Sequence, residues 1–342
     1  SVTAIALLSS PYIHHMRQLL LLCSFLLLGT ASAQPPQLWG MTKAGGAGGL
    51  GTIFRINLDG TGHEVVHSFD SLGGSRPEGG LCLAPDGWLY GLTREDGAND
   101  QGTAFRIDPV SGTYEKVADM ATGMGARPWS SFIVGNDGRL YASGIIDLIR
   151  YDPVIDELEH IADLSVNEML VQGSDGWIYG ADQDGGTNGI GTIFRVDPLT
   201  LANEVLRSFA GEDGDRAYGR LCQAPNGKFY GMTYQGGLYG DGVIYEYDIA
   251  GDAYVKLMDL DGPNGSSPWS GFIVLGPDKL LGSITLGGAF GNGALVELEP
   301  STGTITLVHS FATNTDGSLL FGGLVAGPDG MVYGMTSNGG ER

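Results

Sequence analysis

The sequence predicts an all-β fold, a six-bladed β-propeller whose blades are four-stranded antiparallel sheets. Three observations support this prediction: a repeat of about fifty residues, strand-like apolar runs joined by tight turns, and a high glycine content. Glycine accounts for 58 of the 342 residues, far above the usual roughly 7% and without the every-third spacing of collagen. A period near fifty with strand-like units is typical of propellers and other all-β arrays.

The repeat is clearest from Ile178 to Asp197, where an apolar run, a glycine-rich loop and a second apolar run read IYGADQDGGTNGIGTIFRVD. Near-copies begin at Leu38, Leu89 and Phe229. The second residue of each copy, including degraded and truncated copies, is Trp39, Tyr90, Tyr141, Tyr179, Tyr230, Leu281 and Tyr333. Successive copies are therefore separated by 51, 51, 38, 51, 51 and 52 residues.

One unit contains four strand-like runs, which we designate A to D. Between Gly80 and Met120 the runs are Leu81 to Ala84, Trp88 to Thr93, Thr103 to Asp108 and Tyr114 to Met120. The A–B and C–D turns are tight, and the Asp-Gly or Asn-Gly step of the A–B turn supplies the positive φ that a tight hairpin needs. The B–C loop and the D–A crossover are long and share the opposite edge, the long-loop rim. Long loops on a rigid scaffold commonly carry binding sites.

The recurring aromatic-Gly pair at the start of run B is predicted to be structural. The aromatic residue would pack between blades, and the glycine, as in Gly91 and Gly180, would recur because the backbone of the next blade comes close. Residues 38–69 supply runs B, C and D, five full units follow from 80 to about 311, and runs A and B occupy 322–336. Joining the N-terminal three runs to the C-terminal run A would complete a sixth blade and hide both sheet edges.

The leftover C-terminal run B leaves a truncated seven-bladed parent as the alternative. A second symmetry favours six blades: an offset of 140 residues relates Cys82 to Cys222 and Trp129 to Trp269, so a three-blade unit is duplicated. Cys82 and Cys222 are expected to be free thiols, since equivalent positions three repeats apart face each other across a ring.

Residues 1–33 are predicted to be a cleavable secretory signal. Arg17 precedes an apolar run from Leu19 to Leu28, and Ala31-Ser32-Ala33 forms an A-x-A end. The run is about half the length of a membrane-spanning helix. We therefore expect an extracellular, cell-surface or periplasmic protein with a single propeller domain, residues 34–342, and no membrane span in the mature chain. An uncleaved anchor is the rival interpretation.

The mature chain is strongly acidic, which limits its partners. Without Arg17 it has 17 Lys and Arg against 39 Asp and Glu, so its formal charge is 17 − 39 = −22. Such a surface keeps a protein soluble and repels polyphosphates, so nucleic acid and anionic membranes are not expected as partners. We expect a monomer that binds a glycan or an extracellular protein or peptide.

The repeat also resembles a known family. The pattern Y-G-M-T, a few residues, G-G, a few residues, then G-T-I-F-R-I-D is similar to the tandem repeats of choice-of-anchor tandem repeat GloVer-containing proteins. The resemblance extends from about Leu38 to Gly340, with departures in the copies at Leu140 and Leu280. It implies an exported, surface-associated protein, often with a separate C-terminal anchoring segment, and it implies no catalytic residue.

The crossover into run A carries the most suggestive side chains for ligand binding. Three of four crossovers contain an arginine and three contain a large aromatic residue; these candidates are Trp129, Trp269, Tyr218, Arg76, Arg127 and Arg216. Aromatic faces offer flat surfaces for sugar rings, and arginine offers a planar fork for carboxylates. Because run A should line the channel, its start lies at the channel mouth. The alternative is that the aromatic rings pack between blades or plug the channel while each arginine pairs with a neighbouring acid.

Acidic clusters suggest two other roles. Asp182 with Asp184, and the run Glu212 to Asp215, contain oxygen ligands, but no complete D-x-D-x-D-G calcium loop is present; no cofactor is expected, and calcium stays a secondary possibility. Glu95, Asp96 and Asp215 could supply paired carboxylates for glycoside chemistry.

The first interpretation of the function is a binding or surface-interaction module without catalysis. The alternatives are a polysaccharide lyase or glycosidase and a scaffold with no small ligand.

Overall fold

The computed structural model describes residues 4–7, 36–163, 170–312 and 315–339. These residues form 26 β-strands and no helix, which confirms the all-β prediction. The described ranges accordingly contain no helix of the length and apolarity needed to cross a membrane. All strand pairs within the sheets are antiparallel, and the sheets follow one another along the chain as six blades and a C-terminal sheet.

Strands are numbered along the chain, beginning with β1 (Ala4–Leu7). Blade 1 comprises β2 (Gln37–Thr42), β3 (Thr52–Asn57) and β4 (Glu64–Ser68). Blade 2 comprises β5 (Cys82–Leu83), β6 (Leu89–Thr93), β7 (Thr103–Ile107) and β8 (Tyr114–Asp119). Blade 3 comprises β9 (Ile133–Val134), β10 (Leu140–Ser143), β11 (Leu148–Asp152) and β12 (Glu157–Ala162).

Blade 4 comprises β13 (Val171–Gln172), β14 (Ile178–Asp182), β15 (Thr192–Val196) and β16 (Asn203–Ser208). Blade 5 comprises β17 (Cys222–Gln223), β18 (Phe229–Met232), β19 (Val243–Asp248) and β20 (Ala253–Asp259). Blade 6 comprises β21 (Phe272–Gly276), β22 (Lys279–Ile284), β23 (Ala294–Glu299) and β24 (Thr304–Ser310). The C-terminal sheet contains β25 (Val325–Ala326), β26 (Val332–Met335) and β1.

The predicted A-to-D order holds in each four-stranded blade, and strand A is the innermost. Strands A of blades 2 and 3 contact each other, as do those of blades 5 and 6 and those of blade 6 and the C-terminal sheet. Strand A therefore surrounds the axis, and its start lies at the channel mouth as predicted. The second strand of each complete blade is almost wholly buried, so the core lies between the blades.

The predicted six-bladed propeller of antiparallel blades is confirmed, but the predicted pairing of the C-terminal run A with the N-terminal blade is wrong. The C-terminal inner strand β25 pairs with β26 through Val325–Tyr333 and Ala326–Val332, and β2 pairs only with β3 among the described strands. Tyr333 Oη lies 3.4 Å from the carbonyl oxygen of Leu58, which places the C-terminal sheet beside blade 1. The ring thus closes through a separate partial sheet, consistent with the leftover run B.

The predicted signal segment falls mostly outside the described residues. Ala4–Leu7 is described as a strand, and its register runs from Ala4–Met335 to Leu7–Val332. Residues 8–35 lie outside the described part of the chain. Cleavage after residue 33 and export stay predictions.

The tyrosine of strand B closes the tight A–B turn. Tyr90 Oη donates to Asp86 at 2.8 Å and Tyr141 Oη donates to Asp137 at 2.7 Å. The other carboxylate oxygen of Asp86 accepts the backbone N–H of Trp88 at 3.0 Å. The same Tyr–Asp bond recurs at Tyr179–Asp175 and Tyr333–Asp329. The tyrosine and the Asp-Gly turn four residues earlier are therefore one structural unit, which confirms the structural interpretation of the aromatic residue.

The glycine after that tyrosine recurs for a different reason from the one predicted. A Cβ atom at Gly91 would lie 2.3 Å from the ring of Phe105, and one at Gly180 would lie 2.3 Å from the ring of Phe194. These are cross-strand partners within one blade. The backbone of the next blade is not the obstacle. An aromatic ring of strand C lies over the glycine of strand B and fills the space of the missing side chain, as a cross-strand pair.

Cys82 and Cys222 are free thiols, as predicted. Burial raises the pKa of both thiols to about 11. They therefore stay protonated and unreactive at neutral pH.

We expect Gly180→Ala to lower the free energy of unfolding by about 1–3 kcal/mol, because the new methyl group would overlap the ring of Phe194 in a packed core. Urea unfolding measures the change. The control is Gly323→Ala, where a Cβ atom would meet nothing within 4 Å; its effect should stay within about 0.5 kcal/mol. Equal unfolding midpoints for the two variants would contradict the overlap.

Candidate functional site

The crossovers into strand A share one strained backbone conformation. The residues in question have φ of 54°, 47°, 54°, 48° and 61°; they are Arg76, Arg127, Arg216, Ser267 and Leu319. This left-handed region is uncommon for residues other than glycine. It is held in place because each backbone N–H donates to a carbonyl in the B–C loop of the preceding blade, for example Arg76 to Leu50 at 2.9 Å and Arg216 to Ile190 at 2.8 Å. Each crossover is thereby fixed to its neighbour, and the channel mouth has a rigid backbone.

Four aromatic rings meet on this rim at blades 5 and 6 and the C-terminal sheet. Tyr218 stacks on Trp269 with ring centroids 4.3 Å apart and planes 10° from parallel. Tyr234 lies edge-on to both rings, at 5.2 Å from Tyr218 and 5.6 Å from Trp269. Phe321 lies edge-on to Trp269 at 5.8 Å and is 46% exposed. We call these four residues the aromatic cluster. Two of the predicted site residues, Trp269 and Tyr218, belong to it.

Trp129 lies in a different environment, although it is 140 residues before Trp269. The guanidinium of Arg94 lies 4.0 Å from the centroid of the Trp129 ring. Arg94 in turn bonds Glu95 at 3.3 Å, and Arg76 bonds the same carboxylate at 3.0 Å and 3.2 Å. The predicted residues Trp129 and Arg76 are thus parts of a second, charged cluster. The structure thus places four of the six predicted residues in two separate clusters, and Arg127 and Arg216 belong to neither cluster.

The three predicted arginines differ in how they are paired. Arg76 pairs with Glu95, and Arg216 lies 4.0 Å from the carboxylate of Asp215. The exposed Arg127 has no carboxylate partner among the residues that the structure describes. The predicted alternative, in which each arginine pairs with a neighbouring acid, therefore holds for Arg76 and Arg216 and not for Arg127.

Sequence reasoning missed Tyr234 and Arg94. Both follow the threonine that ends strand B, and they are related by the same offset of 140 residues. A signal was available, because the position holds lysine or arginine in Lys43 and Arg94 but tyrosine in Tyr234. The residue at this repeated position decides whether a cation or a second aromatic ring packs against the nearby tryptophan.

The acidic candidates do not form a metal site in the described part of the chain, where no group of three or more His, Cys, Asp or Glu side chains is arranged to hold a metal ion. Glu95 is engaged by two arginines, and Asp213 by Arg207. The calcium possibility has not been tested and stays a prediction.

A model of the Gloeobacter/Verrucomicrobia repeat matches residues 28–145 and 154–342. The chain belongs to this repeat family. The match spans nearly all of the propeller, and it agrees with the family resemblance that the repeat pattern carries. No curated protein matches the chain.

Several solved structures share the fold of this Gloeobacter/Verrucomicrobia repeat protein at low identity. A candidate 6-phosphogluconolactonase from Bacteroides uniformis is 17% identical, with a TM-score of 0.55 over 85% of this chain and 87% of that one. An oligogalacturonate lyase in complex with manganese is 12% identical, with a TM-score of 0.51 over 87% and 78%. The extracellular domain of a candidate hybrid two-component system from B. thetaiotaomicron is 11% identical, with a TM-score of 0.59 over 87%.

This chain spans only 36% of the two-component protein. Identities this low show a common fold and no common activity.

Asp182 is a buried acidic residue at a position where the repeat elsewhere has threonine. It occupies the end of strand B in blade 4, where other blades have Thr42, Thr93 and Thr233. It is 6% exposed, and burial raises the pKa of its carboxyl to about 7. The charge of Asp184 raises the pKa further, while the backbone N–H of Asp184, at 3.1 Å, opposes the rise. Burial and the charge of Asp184 also raise the pKa of Asp215, against the charge of Arg216.

We expect Asp182→Thr to raise stability at pH 8 and to flatten its pH dependence. Between about pH 4 and pH 7 the native carboxyl keeps a proton that the unfolded chain releases, so its contribution to stability falls as pH rises through this window. The loss is about 4 kcal/mol at pH 8. Urea unfolding of both proteins from pH 4 to pH 8 measures it. A constant difference between the two proteins across this range would contradict the assignment.

Proposed function

We propose that this protein is an exported binding module that holds a glycan at the long-loop rim, without catalysis. The observation that carries the proposal is the aromatic cluster of Tyr218, Tyr234, Trp269 and Phe321. Aromatic faces bind the apolar faces of sugar rings, and they contribute most where the scaffold is already ordered. The crossover hydrogen bonds give this mouth an ordered backbone.

The position of Phe321 supports a binding role for the cluster. Core aromatic residues of this propeller, such as Tyr90, Phe105 and Tyr230, are wholly buried. Phe321 leaves almost half of its surface in solvent beside the half-buried Trp269, so a ligand can cover apolar area that the fold leaves uncovered. Burying that area is a favourable term in binding.

Export completes the proposal. The predicted signal in residues 1–33 would deliver the propeller to the extracellular space, the cell surface or the periplasm, where glycans and extracellular proteins are available. The extracellular domain with a similar fold is consistent with this location.

A second candidate function is acid–base catalysis on a polysaccharide, and the observation that favours it is Asp182. A buried carboxyl with a pKa of about 7 can hold or accept a proton near neutral pH, as a lyase or glycosidase needs. The test is a depolymerisation assay on polyuronates and neutral glycans with wild type and Asp182→Asn. Catalysis is favoured if wild type forms product and the variant does not. If wild type forms no product, binding is the sole remaining proposal.

We expect Trp269→Ala and Phe321→Ala to weaken binding on a glycan array by roughly ten- to a hundredfold, since each removes an aromatic face worth about 1–3 kcal/mol. The exposed Phe321 makes its variant the safer one for folding. The control is Trp177→Ala, whose ring lies on the other rim beneath Arg195 at 4.4 Å. Thermal unfolding shows that each variant is folded. Unchanged binding by both folded rim variants, or an equal loss in the control, would overturn the proposal.

A further inference from the structure

Almost every cation in the described part of the chain has a carboxylate beside it. Of 18 Lys and Arg, Arg17 and Arg342 lie outside the described residues, which leaves 18 − 2 = 16. Fourteen of these lie within 4.0 Å of an Asp or Glu carboxylate. The two that do not are Arg127 and Arg220. In a chain with 39 acidic residues, an arginine without a carboxylate partner is the exception.

Arg220 lies at the channel mouth, one residue before the buried Leu221 that leads into the inner strand of blade 5. The described residues at the same place before the other inner strands are all small, namely Gly80, Ser131, Gly271 and Gly323, and the equivalent residue of blade 4, Met169, lies outside the described residues. Arg220 therefore contributes the one long side chain among the described positions of this ring. Its side chain is exposed. Its backbone is closely packed, because a Cβ atom at Gly271 would lie 2.1 Å from the Arg220 carbonyl oxygen.

Arg220 and Arg127 both lie on D–A crossovers of the long-loop rim, Arg220 before β17 and Arg127 before β9. Burial raises the pKa of Cys222, in the same blade, and of Cys82, three blades away, and the charge of Arg220 opposes the rise at both thiols. The Cys82 thiol also interacts with the backbone of Val134 in blade 3. Arg127 belongs to the crossover that leads into blade 3, and its N–H donates to the Gln101 carbonyl at 2.7 Å.

We propose that Arg127 and Arg220 form an anion site at the channel mouth and bind a carboxylate of an acidic sugar, a uronate. This inference rests on the proposed glycan binding and names the class of glycan. The guanidinium fork matches a carboxylate with two parallel hydrogen bonds, and neither fork is used by a carboxylate of the described chain. Arg76 and Arg216, which the sequence also suggested for this role, are already paired.

The charge of the whole protein narrows the ligand further. A formal charge of −21 repels a highly charged polyanion at long range. A short oligosaccharide with a few carboxylates is repelled less, because it carries fewer charges. Salt screens the long-range repulsion more than the close contact. The site should therefore prefer short uronate oligomers, and affinity should change little between low and moderate salt.

The test uses α-1,4-linked trigalacturonate and the neutral α-1,4-linked galactotriose, which differ in the carboxylate at C6. Isothermal titration calorimetry is run with the full chain as wild type, Arg220→Gln, Arg127→Gln and Trp269→Ala. We expect each arginine variant to bind trigalacturonate roughly ten- to a hundredfold more weakly and to bind galactotriose as wild type does. Trp269→Ala should weaken both. Lys279→Gln is the control, because it removes the same charge from a lysine paired with Glu297.

The possible failures are distinguishable. If Arg220→Gln and Arg127→Gln bind trigalacturonate as tightly as wild type while Trp269→Ala does not, the anion site is wrong and the glycan site stands. If Lys279→Gln weakens binding as much as Arg220→Gln does, net charge and not the site is responsible, and the inference is overturned. If wild type binds neither sugar, both the anion site and the proposed glycan binding are overturned. Thermal unfolding identifies any variant that has lost its fold.

Discussion

The contact on which the rest of this structure depends is the one that the strand-B tyrosine makes between neighbouring blades. Tyr230 Oη lies 3.3 Å from the Pro300 carbonyl in the C–D turn of the next blade, and Tyr333 Oη lies 3.4 Å from the Leu58 carbonyl. The ring of each tyrosine is buried between two sheets that could not bury both faces alone. Tyr333 makes this contact from the end of the chain to its beginning. The closed ring that results fixes the inner strands, and these fix the channel mouth.

The periodic features of the fold could be predicted from sequence because they recur. Tyr90, Gly91 and the turn at Asp86 reappear at constant spacing, and spacing alone indicates a blade. Recurrence does not show which neighbouring group requires a residue. For this reason the backbone of the next blade was predicted as the close neighbour of Gly91, whereas the structure shows the ring of Phe105, fourteen residues away in the adjacent strand. The closure was predicted wrongly because a two-residue strand such as Val325–Ala326 carries too little sequence to specify its partner.

The candidate site was predicted less well, and the reason is physical. The crossovers place Trp129 and Trp269 in equivalent positions, and the sequence spacing shows this. The environment of each tryptophan ring, however, is set by a residue of a B–C loop. Arg94 lies over one tryptophan and Tyr234 lies against the other. Such pairings depend on the tertiary contact between a B–C loop and the next crossover. The spacing of the crossover residues contains no information about them.

Departures from the repeat are the places where the fold does not dictate the residue. A threonine ends strand B in blades 1, 2 and 5, so the carboxylate of Asp182 is not needed to make a blade, and burying it in charged form costs stability. Glycine or serine suffices beside the channel at Gly80 and Ser131, so Arg220 is not needed to build an inner strand. Tyr234 replaces a cation without changing the loop. Because the same backbone forms without these side chains, packing does not account for them. All three residues lie on the long-loop rim. The architecture does not require them, so a function located on that rim accounts for their presence.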